Sequence, residues 1–316
     1  MEKERSLENE NKNENSILKC DIYHKEIIKD ILENGTLDVN PRPVYDDGVN
    51  ENGKRILTPA HTLSINHVFE TYDLTKGELP IITLRPIAVK SAIAELLWIY
   101  QIESNNLDDL AKLGVTWWDN WDIGDRTIGA CYGETVRRHN LMHNLLDGLK
   151  KDPYGRRHIM NMWQEDDFKD KHGLKPCCYQ TQFNVVNGKD KNGNWTNSEE
   201  KDYLDCILYQ RSSDFCTAGV INAFQYCILL YLVARHCGYI PRKFSIIRGN
   251  VQIYDRHIKQ AKELLSREPI ACKPEIWINS DKTDFYTMTL DDIKLVNYPR
   301  SEIKEKNPQL KFPLAI

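Results

Sequence analysis

The sequence predicts an α+β fold: a mixed β-sheet packed against helices in a single domain. Segments with strand-like alternation and segments with helical periodicity follow one another without the regular strand–helix alternation of a doubly wound sheet. Ile221–Cys237 is long and nearly all apolar, so it predicts a helix buried against other elements. No internal repeat and no clear linker divides the chain.

Residues 1–16 (MEKERSLENENKNENS) are rich in Glu, Asn and Lys and lack the apolar side chains that offset ordering entropy. They predict a disordered charged tail, leaving residues 17–316 as one catalytic-sized domain. Ile17–Leu32 carries apolar residues at helical spacing, and Gly35 ends it. Residues 37–57, with their Pro, Gly, Asn and Asp, predict a loop. His61–Tyr72 alternates as a strand, and Ile81–Leu84 starts a second short extended segment. Ala88–Tyr100 predicts a helix with an apolar face that includes Ala92, Ile93, Leu96 and Leu97. Residues 114–133, rich in Gly and Trp, predict irregular structure, followed by a helix over Val136–Leu149. Arg157–Trp163, Cys178–Val186, Tyr203–Tyr209 and Ile246–Ile253 read as strands. The polar stretch 187–202 reads as an exposed hairpin loop, and Tyr254–Ser266 as an amphipathic helix.

The chain has 316 residues, of which 41% are hydrophobic, enough for a sizeable core. A net charge of -4 supplies no global basic field, so nucleic acid is not expected as a main partner and anions must be held by local arginine clusters. Nine cysteines without CxxC spacing suggest a reducing, cytoplasmic setting with neither a disulfide framework nor a zinc site. The charged N-terminus does not read as a signal peptide, and no apolar run is expected to reach membrane-spanning length. The sequon Asn194-Trp195-Thr196 is idle in a cytoplasmic chain.

Several segments could carry chemistry. Cys177 lies in Leu174-Lys175-Pro176-Cys177-Cys178-Tyr179, and positive neighbours such as Arg156, Arg157 or Arg211 would favour a nucleophilic thiolate. An inert buried thiol is the commoner role of such a residue. Gln210-Arg211-Ser212-Ser213-Asp214 places a guanidinium beside hydroxyls, a set that can share one phosphate or can simply form a surface turn with a local ion pair. Asp152-Pro153-Tyr154-Gly155-Arg156-Arg157 is a turn with two adjacent arginines; both serve one anion only if the backbone turns there or two subunits share a site. Glu95, beside Leu96, Leu97 and Trp98, would have its pKa raised by burial and would suit proton transfer, unless it sits at the helix edge in solvent. Trp117, Trp118 and Trp121 could wall a heterocycle or pack in the core. There is no P-loop, dinucleotide fingerprint or nucleophile elbow.

Taken in order, these blocks resemble the folate-dependent thymidylate synthase family from about Ile27 to Ile316. The blocks are Ala94-Glu95-Leu96-Leu97-Trp98, Trp118-Asp119-Asn120-Trp121 with Tyr132-Gly133, Asp152 to Arg157, Pro176-Cys177 with Gln182-Phe183, Gln210 to Asp214, Asn222, Ile253-Tyr254 with His257, and Phe312-Pro313-Leu314-Ala315-Ile316. Thr58-Pro59-Ala60-His61-Thr62-Leu63-Ser64 is similar to a run in one subgroup.

The resemblance implies a thymidylate synthase-like fold and the reductive methylation of dUMP to dTMP, with 5,10-methylenetetrahydrofolate as co-substrate, no metal, and dihydrofolate released. It implies Cys177 as the nucleophile at C6 of the pyrimidine and Glu95 as the manager of proton transfers. Gln210, Arg211, Ser212, Asn222, Gln252 and Tyr254 would bind dUMP, with Arg42 on its phosphate (Arg55 being the rival) and Asn222 on the pyrimidine edge. Arg156 and Arg157 would reach the phosphate of a partner subunit, making a homodimer. Trp118, Asp214 and Ile316 would hold the folate. The chain departs from the family pattern in three places: Cys178 follows the nucleophile where many members have His, Gln252 stands where His is usual, and Val220-Ile221 replace Pro-Phe before Asn222. A dUMP hydroxymethylase of the same family is the alternative; Asn222 speaks against a cytosine-specific one, which would favour an acidic residue there.

Overall fold

The structure is a computed structural model that describes residues 16–169, 173–188 and 202–316. Its centre is a six-stranded sheet. The chain enters through α1 (Lys19–Asn34), β1 (Thr36–Leu37), the hairpin β2 (Val44–Val49) and β3 (Arg55–Pro59), and β4 (Thr62–Asp73). Then come α2 (Val89–Tyr100), α3 (Leu107–Lys112), α4 (Gly133–Arg138), α5 (Leu141–Lys151) and β5 (Ile159–Asn161). β6 (Cys178–Val186) and β7 (Tyr203–Asp214) lead through a π-helical turn (Phe215–Gly219) into α6 (Val220–Cys237). The remainder is β8 (Ile240–Tyr254), α7 (Ile258–Ser266), the hairpin β9 (Glu275–Ile278) and β10 (Ile293–Val296), and α8 (Arg300–Lys306).

The sheet order is β1-β4-β8-β7-β6-β5, antiparallel except for the parallel pair β7–β8. It is the mixed sheet of the predicted α+β class. The parallel pair needs a crossover, and α6 supplies it. Fourteen of the eighteen α6 residues are apolar or aromatic by its sequence VINAFQYCILLYLVARHC, and Phe224, Cys227, Ile228, Leu229, Leu230, Leu232 and Val233 are fully buried. Each such Leu, Ile or Phe contributes roughly 1.5–3 kcal/mol on burial. Gly238 ends the helix at φ 83, a left-handed conformation that only glycine adopts without a steric penalty.

Several expectations are corrected. The loop over 37–57 contains the β2–β3 hairpin, whose ladder runs from Val44↔Pro59 to Val49↔Arg55. The extended segment at Ile81–Leu84 pairs with no strand; it is an irregular buried connection. The single helix over Val136–Leu149 is two helices, α4 and α5, broken at Asn140, whose φ of 51 leaves the right-handed helix. β5 is shorter than expected, while β7 and β8 are longer, because their pairing with each other continues past Tyr209 and starts before Ile246. Ser16, placed in the tail, forms a bridge with Cys272. With its π-helical turn, the apolar helix spans Phe215–Cys237, which is long and apolar enough to cross a membrane, contrary to expectation; most of it is buried inside the fold, as a core helix should be. The expected loop at 187–202 lies mostly outside the described residues, as do residues 1–15 of the tail.

Candidate active site

Parallel strands put their C-terminal ends on one edge of the sheet. β7 and β8 end together, with Ser212 opposite Asn250 and Asp214 opposite Gln252. Close approach of the two strands is required here: a Cβ on Gly249 would come within 2.9 Å of the Arg211 carbonyl oxygen. The start of β6 and the N-terminus of α6 open onto the same edge. The backbone N–H of Arg211 donates to the Cys177 carbonyl at 2.8 Å, bringing the two residues together.

The Arg211 guanidinium lies 3.7 Å from the Cys177 Sγ and donates to the carbonyls of Pro176 (3.0 Å) and Lys175 (2.8 Å). The Cys177 N–H donates to the Tyr132 phenol oxygen at 3.0 Å, which pins the loop just before β6. Burial pushes the Cys177 thiol above its ordinary range, and the nearby Arg211 and Arg42 pull it back. Cys178 is fully enclosed, and burial pushes its thiol far higher. The two adjacent cysteines are thus separated by environment: Cys177 faces the cations and Cys178 faces the core.

Glu95 projects from α2 toward this edge and is 6% exposed. The indole N–H of Trp117 donates to its Oε2. Burial raises its pKa, opposed first by hydrogen bonding from Gln225. The buried placement of Glu95 and the role of Trp117 are findings of the tertiary structure. Trp118, expected as a pocket wall, packs against Trp98, Trp121 and Tyr132, with centroid distances of 6.4, 5.4 and 5.6 Å. Its buried indole N–H is turned toward the Glu95 carboxylate and helps oppose the rise in that group's pKa.

Asn222 sits in the first turn of α6. Its Oδ1 accepts from Gln210 Nε2 at 3.0 Å, and its Nδ2 donates to Gln225 Oε1 at 3.3 Å. Gln210 is buried, so its side chain meets Asn222 and the core rather than the open cleft. The Ser212 hydroxyl donates to Gln252 Oε1 at 3.3 Å. Tyr254 is buried beside Tyr45 and His257. Arg42, not Arg55, faces this group: its charge acts on both Cys177 and Tyr254, while Arg55 pairs with Asp46 on the exposed hairpin.

The chain terminus closes the edge. Ile316 and Val44 exchange both backbone hydrogen bonds, at 3.0 and 2.9 Å. His257 Nε2 donates to the Pro313 carbonyl at 2.7 Å, and Phe312 packs on the His257 ring. The other nitrogen of His257 is 3.7 Å from Asp214 Oδ1, which is itself buried without a hydrogen-bond partner. Asp214 therefore offers an acceptor at this edge, which suits a flat heterocycle that carries N–H donors.

Cys177, Glu95, Arg42, Gln210, Arg211, Ser212, Asn222, Gln252, Tyr254, Asp214 and Ile316 all lie on these converging segments. Arg156 and Arg157 do not share them. They are exposed in the turn before β5, on the strand at the far edge of the sheet, where the Gly155 N–H closes the turn onto the Asp152 carbonyl at 2.9 Å.

The family model for thymidylate synthase matches residues 22–316. A thymidylate synthase from Lactococcus lactis subsp. cremoris is 43% identical over 299 residues, covering 94% of this chain and 99% of the relative. One from Streptococcus sanguinis is 42% identical over 302 residues, with the same coverage. The solved structure of thermostable thymidylate synthase A from Bacillus subtilis superposes with a TM-score of 0.79 at 35% identity, covering 94% of this chain and 99% of that one. The fold, the residues gathered at its open edge and these likenesses agree, and the chain belongs to the thymidylate synthase family of methyltransferases.

Proposed function

We propose that the chain converts dUMP to dTMP with 5,10-methylenetetrahydrofolate, releasing dihydrofolate. The observation that carries this reading is the convergence of Cys177 with Arg211 on one side and Glu95 with Asn222 on the other. The Cys177 thiolate adds to C6 of the uracil ring, and the electron pair moves to C5 as an enolate. The enolate carbon attacks the one-carbon unit, Glu95, through water, manages removal of the C5 proton, and the bonds between that one-carbon unit and the folate nitrogens break. The co-substrate supplies that carbon and the hydride that reduces it. Cys177 then leaves C6.

Arg211, Ser212 and Arg42 hold the phosphate, and bringing it there adds negative charge that the two guanidiniums balance. Asn222, supported by Gln210, reads O4 and N3–H of uracil. Gln252 and Tyr254 bind the sugar; Gln252 hydrogen-bonds without taking a charge. Trp118, Asp214 and Ile316 hold the folate. Nine free cysteines suit a reducing compartment such as the cytoplasm.

Two copies form the working unit, with Arg156 and Arg157 completing the partner's phosphate site. Support comes from the sheet face away from α6. There Phe69, Ile247 and Tyr209 form one cross-strand row, and Phe69 is 57% exposed. A row of large apolar side chains on a central sheet is a surface suited to pairing.

The test is an assay with dUMP and 5,10-methylenetetrahydrofolate, following dihydrofolate by absorbance and the nucleotide by mass. Dihydrofolate with a methylated nucleotide is expected. A hydroxymethylated nucleotide without dihydrofolate would replace this reading with the hydroxymethylase.

A further inference from the structure

Arg248 is fully buried on β8, 1% exposed, and pairs with Glu70 of β4, 4% exposed, its Nε donating to Glu70 Oε1 at 2.7 Å. Such a pair is a poor source of stability, because desolvation offsets its attraction and an apolar replacement is often neutral. Its geometry serves another purpose. The Arg248 guanidinium also donates to Gln210 Oε1 (2.5 Å), to the Ser213 hydroxyl (3.1 Å) and to the Gly219 carbonyl at the end of the π-helical turn (3.1 Å).

An arginine has donors and no acceptor. Its contact therefore forces the oxygen, not the nitrogen, of the Gln210 amide to face it. Gln210 must then present Nε2 to Asn222, and Asn222 must present Oδ1 in return. The order continues: Asn222 Nδ2 donates to Gln225 Oε1, and Gln225 Nε2 donates to the Ala92 carbonyl at 3.1 Å, a group that can only accept. Three amides, each reversible by itself, are held in one direction between a donor-only cation and an acceptor-only carbonyl. Asn222 is left with a second Oδ1 lone pair for a ring N–H and a second Nδ2 hydrogen for a carbonyl. That is the complement of uracil; the reversed chain would present the same two atoms exchanged.

We propose that Arg248, held by Glu70, is a positioning residue that sets the amide direction of Asn222 and thereby the preference for a uracil over a cytosine ring. The proposal rests on the reading of Asn222 given under Proposed function.

The variants are Arg248→Lys, which keeps a donor-only cation, Arg248→Gln, which can donate or accept, and the apolar double replacement Glu70→Leu with Arg248→Met. For each, thermal melting reports folding, and competition binding with dUMP and dCMP reports ring preference, with kcat and KM for dUMP measured alongside. In Arg248→Gln and in the double variant, if folded, the dUMP-over-dCMP binding ratio should fall about tenfold or more, the size of one mis-set hydrogen bond. Arg248→Lys should retain most of the ratio. A folded double variant with an unchanged ratio, or losses equal for the two nucleotides in every variant, would overturn the proposal and leave Arg248 a purely structural residue. Wild-type protein that binds neither nucleotide would instead remove the reading of Asn222 on which the proposal stands.

Discussion

The Arg211 Nη2 and the Cys177 Sγ are 3.7 Å apart, while the neighbouring Cys178 is sealed in the core. A one-residue step into β6 therefore decides which thiol meets a cation. Cys177→Ala should abolish dihydrofolate formation, and Cys178→Ala should leave most of it. The reverse outcome in the same absorbance assay would reassign the nucleophile.

Burial raises the Cys177 thiol in the ligand-free protein, so it is mostly protonated at neutral pH, and its thiolate fraction grows with alkalinity. Alkylation of Cys177 by iodoacetamide, followed by mass spectrometry of the modified peptide, should speed up about tenfold per pH unit from 7 upward, without levelling off below the ordinary thiol range of about 8.5. Arg211→Gln removes the nearest opposing charge and should slow alkylation further at every pH in that range.

Glu95→Gln keeps the shape of the side chain and its capacity to accept from Trp117 but cannot move a proton. A fall in kcat of about a hundredfold or more is expected, with dUMP affinity nearly unchanged. Release of tritium from C5-labelled dUMP should fall in parallel. If tritium release were unaffected, Glu95 would not be acting at C5.

Removal of Ile316 deletes the backbone pair with Val44 and the last anchor of the terminus. Binding of dUMP, measured by calorimetry, should change little, whereas the folate-dependent rate should fall at least tenfold. Equal losses in both would place the terminus over the nucleotide.

Arg156 and Arg157 can be tested by mixing subunits. Cys177→Ala and the double variant Arg156→Ala with Arg157→Ala should each be nearly inactive, yet activity should reappear after the two are unfolded and refolded together, because one hybrid site is intact. No recovery would mean that the arginines serve their own subunit. Phe69→Asp should shift the protein to monomers in sedimentation and silence it.

Asp21 is buried on α1, where it accepts from the Thr83 N–H (2.7 Å) and hydroxyl (2.8 Å), and burial raises its carboxyl to about 6. A carboxyl raised in the folded state contributes stability that is complete below its unfolded pKa near 4 and is lost as pH rises through 6. Relative to Asp21→Asn, the wild type should therefore lose up to about 3 kcal/mol between pH 4 and pH 6 in denaturant unfolding. A flat difference across that window would place the carboxyl at its ordinary value.

The chemistry of this protein is legible in its sequence because it is carried by side-chain types in short blocks. Cys177 after Pro176, Arg211-Ser212 at a strand end, Asn222 eleven residues beyond Arg211 and the apolar terminus can be read without a fold, as can the strand over Cys178–Val186 and the buried helix through Leu232. What the tertiary structure alone decided depends on partners far away in the chain. Residues 44–59 fold as a hairpin whose first strand is also paired by Ile316, a contact no local pattern encodes. The break at Asn140 is a backbone choice within a stretch whose apolar spacing permits a continuous helix. Arg248 reads locally as one charge between Ile247 and Gly249, and its meaning arises only when Glu70, 178 residues away, meets it across β4 and β8. Composition and periodicity report what a residue can do; the direction of a hydrogen-bond chain, and which of two adjacent cysteines meets a cation, are set by long-range packing.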